Sequence, residues 1–539
     1  MRLACGRTAC LAALLGAAAI PLGAGGPRFY PDDPLIREPR PRHVAEARPR
    51  KLSDYYDFFR NLFGGAGERW TETGTPIPAR AVNTLGEPME GAWWERRHYY
   101  RRMTIEELKA GPGDAHPPAP GKWTIVAAKS EGVTPGFVIK DSAGETYFVK
   151  FDPLDHPELA TGADMATSRI FYAAGYHVPE YYIIHFRVED LELGDDVKLR
   201  DRYGQERPMK RKDVIELLLD APRDRDGRWR AIASRLLPGR PLGPFRFDGT
   251  RSDDPNDTVP HEHRRDLRGY RVLCAWVNHD DSRSINTLDM LHRDPDGRQY
   301  IKHYLIDFGS TLGSATSGPN SPRGGAEYLW DLDVALKQFF SLGLWVPRWA
   351  RRKYPGIPAV GHFESRTFDP ERWVPEYPNP GFVNALPDDL FWGAKLVMAF
   401  SDAEIRAIVE TAEYSDPRAA NYIARTLIER RDKIGRAFFA KLLPLDKFEV
   451  RGGRLVFEDL EVEHGFAGAR EYRVRWMRFD NETGRQTPIA GAADFLVPES
   501  RPGEYLAAEI TAEDRDKPVT VYLRNRGGTL EVVGIDRTW

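Results

Sequence analysis

From Lys122 onward, short runs rich in apolar and β-branched residues come at close intervals. "WTIVAAKS", "GFVIKD" and "TYFVKF" each have the length and content of a strand, and "DSAGE" supplies a turn between the last two. The period then lengthens. "LATGADMATSRIFYAAG" reads as a helix, "YYIIHF" and "WRAIASRLL" as strands, and "RRDLRGYRVLCAWVNH" as a second helix. Two further strands, "NTLDML" and "YIKHYLIDFG", flank the turn "RDPDGR". Residues 325–447 are expected to be mostly helical. Ser401 with Glu404 three residues later forms a capping-box signature, and Ile405, Ile408, Val409 and Ala412 share one face. From about Phe448 the period returns to two. Val519, Val521 and Leu523 alternate with Thr520, Tyr522 and Arg524, which predicts a separate all-β module, most simply a small sandwich.

The first 120 residues follow neither period. Residues 1–26 carry Arg2 and Arg7, a short apolar run from Leu11 to Ile20, and small residues in "PLGAGG". That is the layout of a cleaved export signal, and the run is too short to span a bilayer. Residues 27–120 are Pro- and Arg-rich, with aromatic pieces such as "DYYDFFRNLF" and "WWERRHYYRRM" expected to dock on the main body. The chain therefore divides into a signal (1–26), an N-terminal arm (27–120), a central domain (121–447) and a C-terminal β module (448–539).

Composition narrows the function classes. Of 539 residues 41% are hydrophobic and 29% charged, ordinary values for a soluble globular chain long enough for several cores. The net charge of −3 gives no electrostatic case for nucleic acid or anionic membranes, so that class is disfavoured. Of three cysteines, Cys5 and Cys10 fall in the leader, so the remaining Cys274 has no intramolecular partner. Its setting, "YRVLCAWV", predicts a buried, inert thiol.

Candidate chemistry lies in five places, taken in chain order. "KSEGVTPGFVIKD" is a turn between strands whose Ser130, Gly132 and Gly136 allow backbone N–H groups to approach a phosphate. Lys150, in "TYFVKF", is a lysine on a strand, able to reach nucleotide phosphates. Asp164 on the following helix could pair with it, with Glu158 as the other possible partner. In "VNHDDSRSINTLDML", Asp281 is followed five residues later by Asn286, the spacing of a base and an amide metal ligand. Asp307 closes an apolar strand in "YLIDFG", beside Phe308 and Gly309, where a carboxylate can hold a phosphate-bridging cation. Each signal alone has a bland reading as a turn or a solvated side chain. Their fixed order is the active-site inventory of a kinase fold.

The sequence over residues 122–445 resembles the atypical kinase branch that contains the HipA-type kinases and the phosphatidylinositol 3-/4-kinases. "GVTPGFVIKDSAGETYFVKF" looks like the HipA-type loop and lysine strand. "ADMATSRIFYAAGYHVPE" is similar to the helix and Gly-x-x-Val-Pro segment after it. There the family carries Glu where this chain has Asp164, and Arg283 stands where those relatives place His. The ordinary protein-kinase signatures are absent: no His-Arg-Asp loop, no Gly-x-Gly-x-x-Gly and no Ala-Pro-Glu segment. The resemblance implies an α+β, bilobal protein-kinase-like fold with a β-rich N-lobe, a mostly helical C-lobe and the C-terminal β module appended. It implies ATP with Mg²⁺ or Mn²⁺ as cofactors, Lys150 on the phosphates, Asp281 as base, and Asn286 and Asp307 as metal ligands. Adenine would lie near "SRLLPGRPLGPF".

The expected function is a phosphotransferase acting outside the cytoplasm on a protein, glycan or lipid hydroxyl, with no transmembrane segment in the mature chain. A nucleotide-binding pseudokinase scaffold and an adenylyl transferase on the same fold are the alternatives. A metal-hydrolase site built on His261, His263, His279 and Asp280 matches no ligand spacing.

Overall fold

The computed structural model describes residues 26–539 apart from 54, 64–66, 70, 73, 114–116, 129–135, 201–204, 343 and 493. Residues 1–25 of the leader, Ser130 and Gly132 therefore lie outside the described residues.

The N-terminal arm is woven into the body. Phe29 is 2% exposed and inserts between Tyr505 and Tyr522 of the C-terminal sheet, with ring centroids 5.9 and 5.3 Å away. Val44 and Ala47 pack with Leu242, Leu291 and Ile301. Helix α1 (Tyr56–Phe63) follows. Trp93 stacks on His303 at 3.5 Å, while buried Trp94 donates its indole N–H to the Ala174 carbonyl at 2.8 Å. Apolar rings in an otherwise polar, Pro-rich segment supply the burial that holds it down.

Strands β1 (Trp123–Ala128), β2 (Gly136–Lys140) and β3 (Thr146–Lys150) form where the three β-rich runs were read, and pair as an antiparallel meander. With β4 (Tyr181–Phe186), β5 (Leu191–Leu193) and β6 (Trp229–Arg235) they make one sheet in the order β4-β6-β3-β2-β1-β5. Only the β1–β5 pair is parallel. Trp123, Ile125, Phe137, Ile139, Tyr147 and Val149 line one face and close a core with Val214 and Leu218. Because strand side chains alternate, Phe148 and Lys150 project from the other face. Beneath that face runs α2 (Leu159–Ala173), which is buried along nearly all its length.

The larger core lies below. Helix α3 (Arg265–Val277) is packed against α5 (Pro387–Met398), where a side chain at Gly393 would sit 2.6 Å from the Gly269 carbonyl. Glycine at both positions lets the helix backbones touch. A three-stranded antiparallel sheet, β7 (Arg240–Gly243), β8 (Thr287–Arg293) and β9 (Gln299–Leu305), packs against the N-terminal arm through Leu242, Leu291 and Ile301. Helix α4 (Leu332–Phe340) precedes α5, and α6 (Asp402–Glu410) and α7 (Pro417–Phe439) complete the helical part. The Ser401–Glu404 capping box forms as read. Residues 325–447 are less helical than expected, because the described residues of 341–379 contain no more than the single turn Arg348–Arg351. Prolines at 347, 355, 358, 370, 375 and 378 deny that segment successive helical N–H donors.

The final part is a five-stranded antiparallel sheet in the order β13-β12-β14-β15-β16: β12 (Tyr472–Phe479), β13 (Gln486–Pro488), β14 (Tyr505–Ala512), β15 (Arg515–Arg526) and β16 (Thr529–Arg537). Hairpin β10–β11 (Leu445–Arg451, Arg454–Asp459) covers one face, so a hairpin stands where a sandwich would have its second full sheet. Phe29 covers part of the other face.

Candidate functional site

The loop after α3 owes its shape to local chemistry. Asn278 ends the helix in the left-handed conformation (φ 56°), a role Asn fills with little strain. Its side-chain oxygen accepts from the Trp373 indole at 3.0 Å, and the His279 N–H returns to the Cys274 carbonyl at 2.8 Å. Cys274 is fully buried, and burial pushes its thiol well above the usual range, as expected of an inert residue.

The two aspartates that follow face different surroundings. Asp280 points inward and accepts from the Asn320 amide at 2.8 Å, while its second oxygen has no hydrogen-bond partner among the described residues. Burial, reinforced by neighbouring Asp281, raises its carboxyl to about 7. Asp281 is partly exposed and ion-paired with Arg283. One turn later the Asn286 amide N–H donates to the Asp281 carbonyl at 2.7 Å, while its amide oxygen, which makes no hydrogen bond among the described residues, can act as a ligand. Asn286 opens into β8, and its own carbonyl accepts the Ile306 N–H at 3.0 Å. The β8–β9 pairing thereby sets Asn286 beside the residue preceding Asp307.

Asp307 adopts the left-handed conformation (φ 59°), uncommon for a residue with a side chain and frequent where geometry serves a site. Its carboxylate, 46% exposed, accepts from the Lys150 ammonium at 2.7 Å. Burial opposes the Lys150 charge, yet Asp307 and Asp164 outweigh it and hold the ammonium above the ordinary lysine range. Asp164 stands farther off, at 4.0 Å from the ammonium. Its other oxygen accepts the Phe308 N–H at 2.7 Å. Buried on α2, it is raised to about 6 by its loss of solvent, against the pull of Lys150. The shorter side chain thus serves the 307–308 backbone first and Lys150 second. Glu158 is no rival, because it accepts from the Ser415 N–H at 2.8 Å, away from the lysine.

Phe308 is fully buried and packs edge-on against Phe171 of α2 at 5.2 Å, with Tyr181 and His279 also around it. The Thr167 and Thr311 hydroxyls bond at 2.6 Å. These contacts clamp α2 to the segment after β9. Sequence reasoning passed over Tyr181, whose hydroxyl accepts the Asp307 N–H at 3.3 Å. Nothing in "YYIIHF" separates it from the apolar residues of its strand. Gly136, the described member of the expected phosphate turn, begins β2 and pairs in register with Lys150.

The described residues contain no cluster of three or more His, Cys, Asp or Glu side chains fit for a metal. His261 is bound to Asp257 at 2.8 Å in the core, so the hydrolase alternative has no ligand set among them. A kinase-type cation needs less from the protein, because phosphate oxygens and water complete its shell. One carboxylate at Asp307 and the amide oxygen of Asn286 are hard donors suited to it.

No protein-family model matches the sequence, and no curated protein matches it either. Among solved structures the chain is similar to two crystal structures of the Golgi casein kinase, one with Mn and ADP bound. Each is 8% identical and covers 61% of this chain and 74% of its own, with a TM-score of 0.27. A superposition that loose adds nothing to the geometry above.

At Asp280 a pH dependence follows. The carboxyl sits near 7 in the folded chain and near 3.8 when free, so the folded state holds the extra proton between those values. Stability then falls as pH rises through that window. Asp280→Asn should raise the melting temperature at pH 8 and leave it little changed at pH 4. Thermal unfolding at both values checks this, and an equal shift at the two would contradict it.

Proposed function

We propose that this chain is an ATP- and Mg²⁺- (or Mn²⁺-) dependent phosphotransferase with a bilobal kinase-like fold, acting on a hydroxyl acceptor outside the cytoplasm. The observation that carries the reading is one cluster. Lys150, on the third strand of the upper sheet, meets both Asp307 after β9 and Asp164 on the helix that follows its own strand. The lysine-strand, carboxylate-helix and metal-carboxylate parts of a kinase occur in that relation.

In this reading Lys150 binds and orients the nucleotide phosphates, and Asp164 holds the Asp307–Phe308 backbone in place. Asp281 accepts the proton of the acceptor hydroxyl. The hydroxyl oxygen bonds to the γ-phosphorus, the bond to the bridging oxygen breaks, and ADP leaves with that electron pair. Arg283 must release Asp281 for this. Asn286 and Asp307 would hold a divalent cation, which neutralises charge on the phosphates when bound. The HipA-type branch and export rest on sequence, on residues 122–445 and on the leader respectively.

The test is thermal unfolding of the full chain with ATP and Mg²⁺. A ligand at 100 times its dissociation constant stabilises by about 2.7 kcal/mol, readable as a shift of some degrees. Wild type should shift and Asp307→Ala should not. No shift in wild type sinks the nucleotide reading. Mass gain on an acceptor, phosphoryl or AMP, separates kinase from adenylyl transferase.

A further inference from the structure

Helix α4 and the segment after it leave an unusual amount of apolar surface uncovered. Phe339 and Phe340 are 72% and 76% exposed, Leu342 and Leu344 are each 89% exposed, and Trp345 and Val346 continue the patch. Exposed apolar residues scattered singly mean little, but a run of adjacent ones marks a contact surface. At its start, Trp330 meets Phe58 of α1 edge-on at 6.5 Å.

The charge pattern says what the surface fits. From Val334 to Tyr354 the sequence has no Asp or Glu, and it has Lys337, Arg348, Arg351, Arg352 and Lys353. Arg348 pairs with Asp369 at 3.2 Å, and Arg352 donates to the Pro322 and Gly324 carbonyls at 2.7 Å. Lys337, Arg351 and Lys353 are exposed and, among the described residues, make no ion pair.

We infer that residues 336–342 and 344–353 dock this protein onto the surface of an anionic lipid bilayer. Phe, Trp and Leu side chains enter the headgroup boundary and the adjoining cations meet the lipid charges, the combination that holds a helix in the plane of a membrane. No helix among the described residues is long and apolar enough to cross a membrane, and lying on the surface needs none. A second copy suits the patch less well. A two-fold contact sets the same surface against itself, and so brings cations against cations. The net charge of −3 conceals this local excess.

Hydrogen exchange of the full chain tests the docking where it occurs, apart from any contact made by the leader. With vesicles of phosphatidylcholine and phosphatidylglycerol at 7:3, peptides within 336–342 and 344–353 should exchange at least about threefold more slowly than without vesicles. Pure phosphatidylcholine vesicles, or 0.5 M salt, should remove most of that protection through loss of the charge term (about 3 Å screening length at 1 M). Phe340→Glu combined with Leu344→Glu should abolish it at an unchanged melting temperature. Vesicle binding without protection of 336–342 and 344–353 overturns the inference. So does protection that rises with protein concentration in the absence of lipid, which would assign the face to a second copy.

Discussion

Asp281→Asn should lower phosphotransfer turnover by about two to four orders of magnitude while leaving ATP-dependent thermal stabilisation in place. That is the range a positioned general base contributes. Asn keeps the shape of the side chain and its contact with Arg283, but it cannot take a proton. The loss should fall on kcat with KM for ATP little changed. Asp280→Asn, one residue away, should retain most of the turnover, because its side chain is turned to Asn320 in the interior. Single-turnover assays of both variants decide between them. Equal losses would mean that the loop, not the Asp281 carboxylate, was disturbed.

Arg230→Ala should cost about 3–5 kcal/mol of folding stability, the usual effect of stranding one member of a buried ion pair. Arg230 lies on β6 and reaches Asp152 at 3.2 Å, with both side chains nearly inaccessible. It also bonds the Thr161 hydroxyl at the start of α2 and the Ala412 carbonyl beyond α6. Burial already lifts the Asp152 carboxyl above its usual range despite the guanidinium. Removing the cation lifts it further, so the variant should be least stable at alkaline pH, where Asp152 must carry its charge. Denaturant titration at pH 6 and pH 9 checks both the size and the sign. Loss below 1 kcal/mol would show that water reaches Asp152.

The elements were more legible than their surroundings. The β-rich run "TYFVKF" foretold a strand carrying Lys150, while the face from which the lysine projects emerged only with Tyr147 and Val149 placed in the core. Side-chain partners across the chain were not readable. Asp280 and Asp281 are neighbours of one type, and what distinguishes them is Asn320 on one side and Arg283 on the other. Asp164 was read as a partner for Lys150, yet its short reach gives its closest bond to the Phe308 N–H. The segment 341–379 was read as part of a helical region whose periodic evidence lay only around 401–412, and its prolines decided otherwise. The net charge of −3 was an average over regions of opposite sign, so it could not speak for Lys337–Lys353.

Phe29 lies near the beginning of the chain, and its partners Phe479, Tyr505 and Tyr522 come within its last fifth. Arg28 likewise pairs with Asp536 at 2.6 Å. During synthesis Arg28 and Phe29 find these partners only once β14 to β16 have left the ribosome, whereas Val44 and Ala47 of the same arm can settle earlier, on Leu242, Leu291 and Ile301. The arm is therefore fastened in two stages, and the C-terminal strands decide when its leading residues find their place.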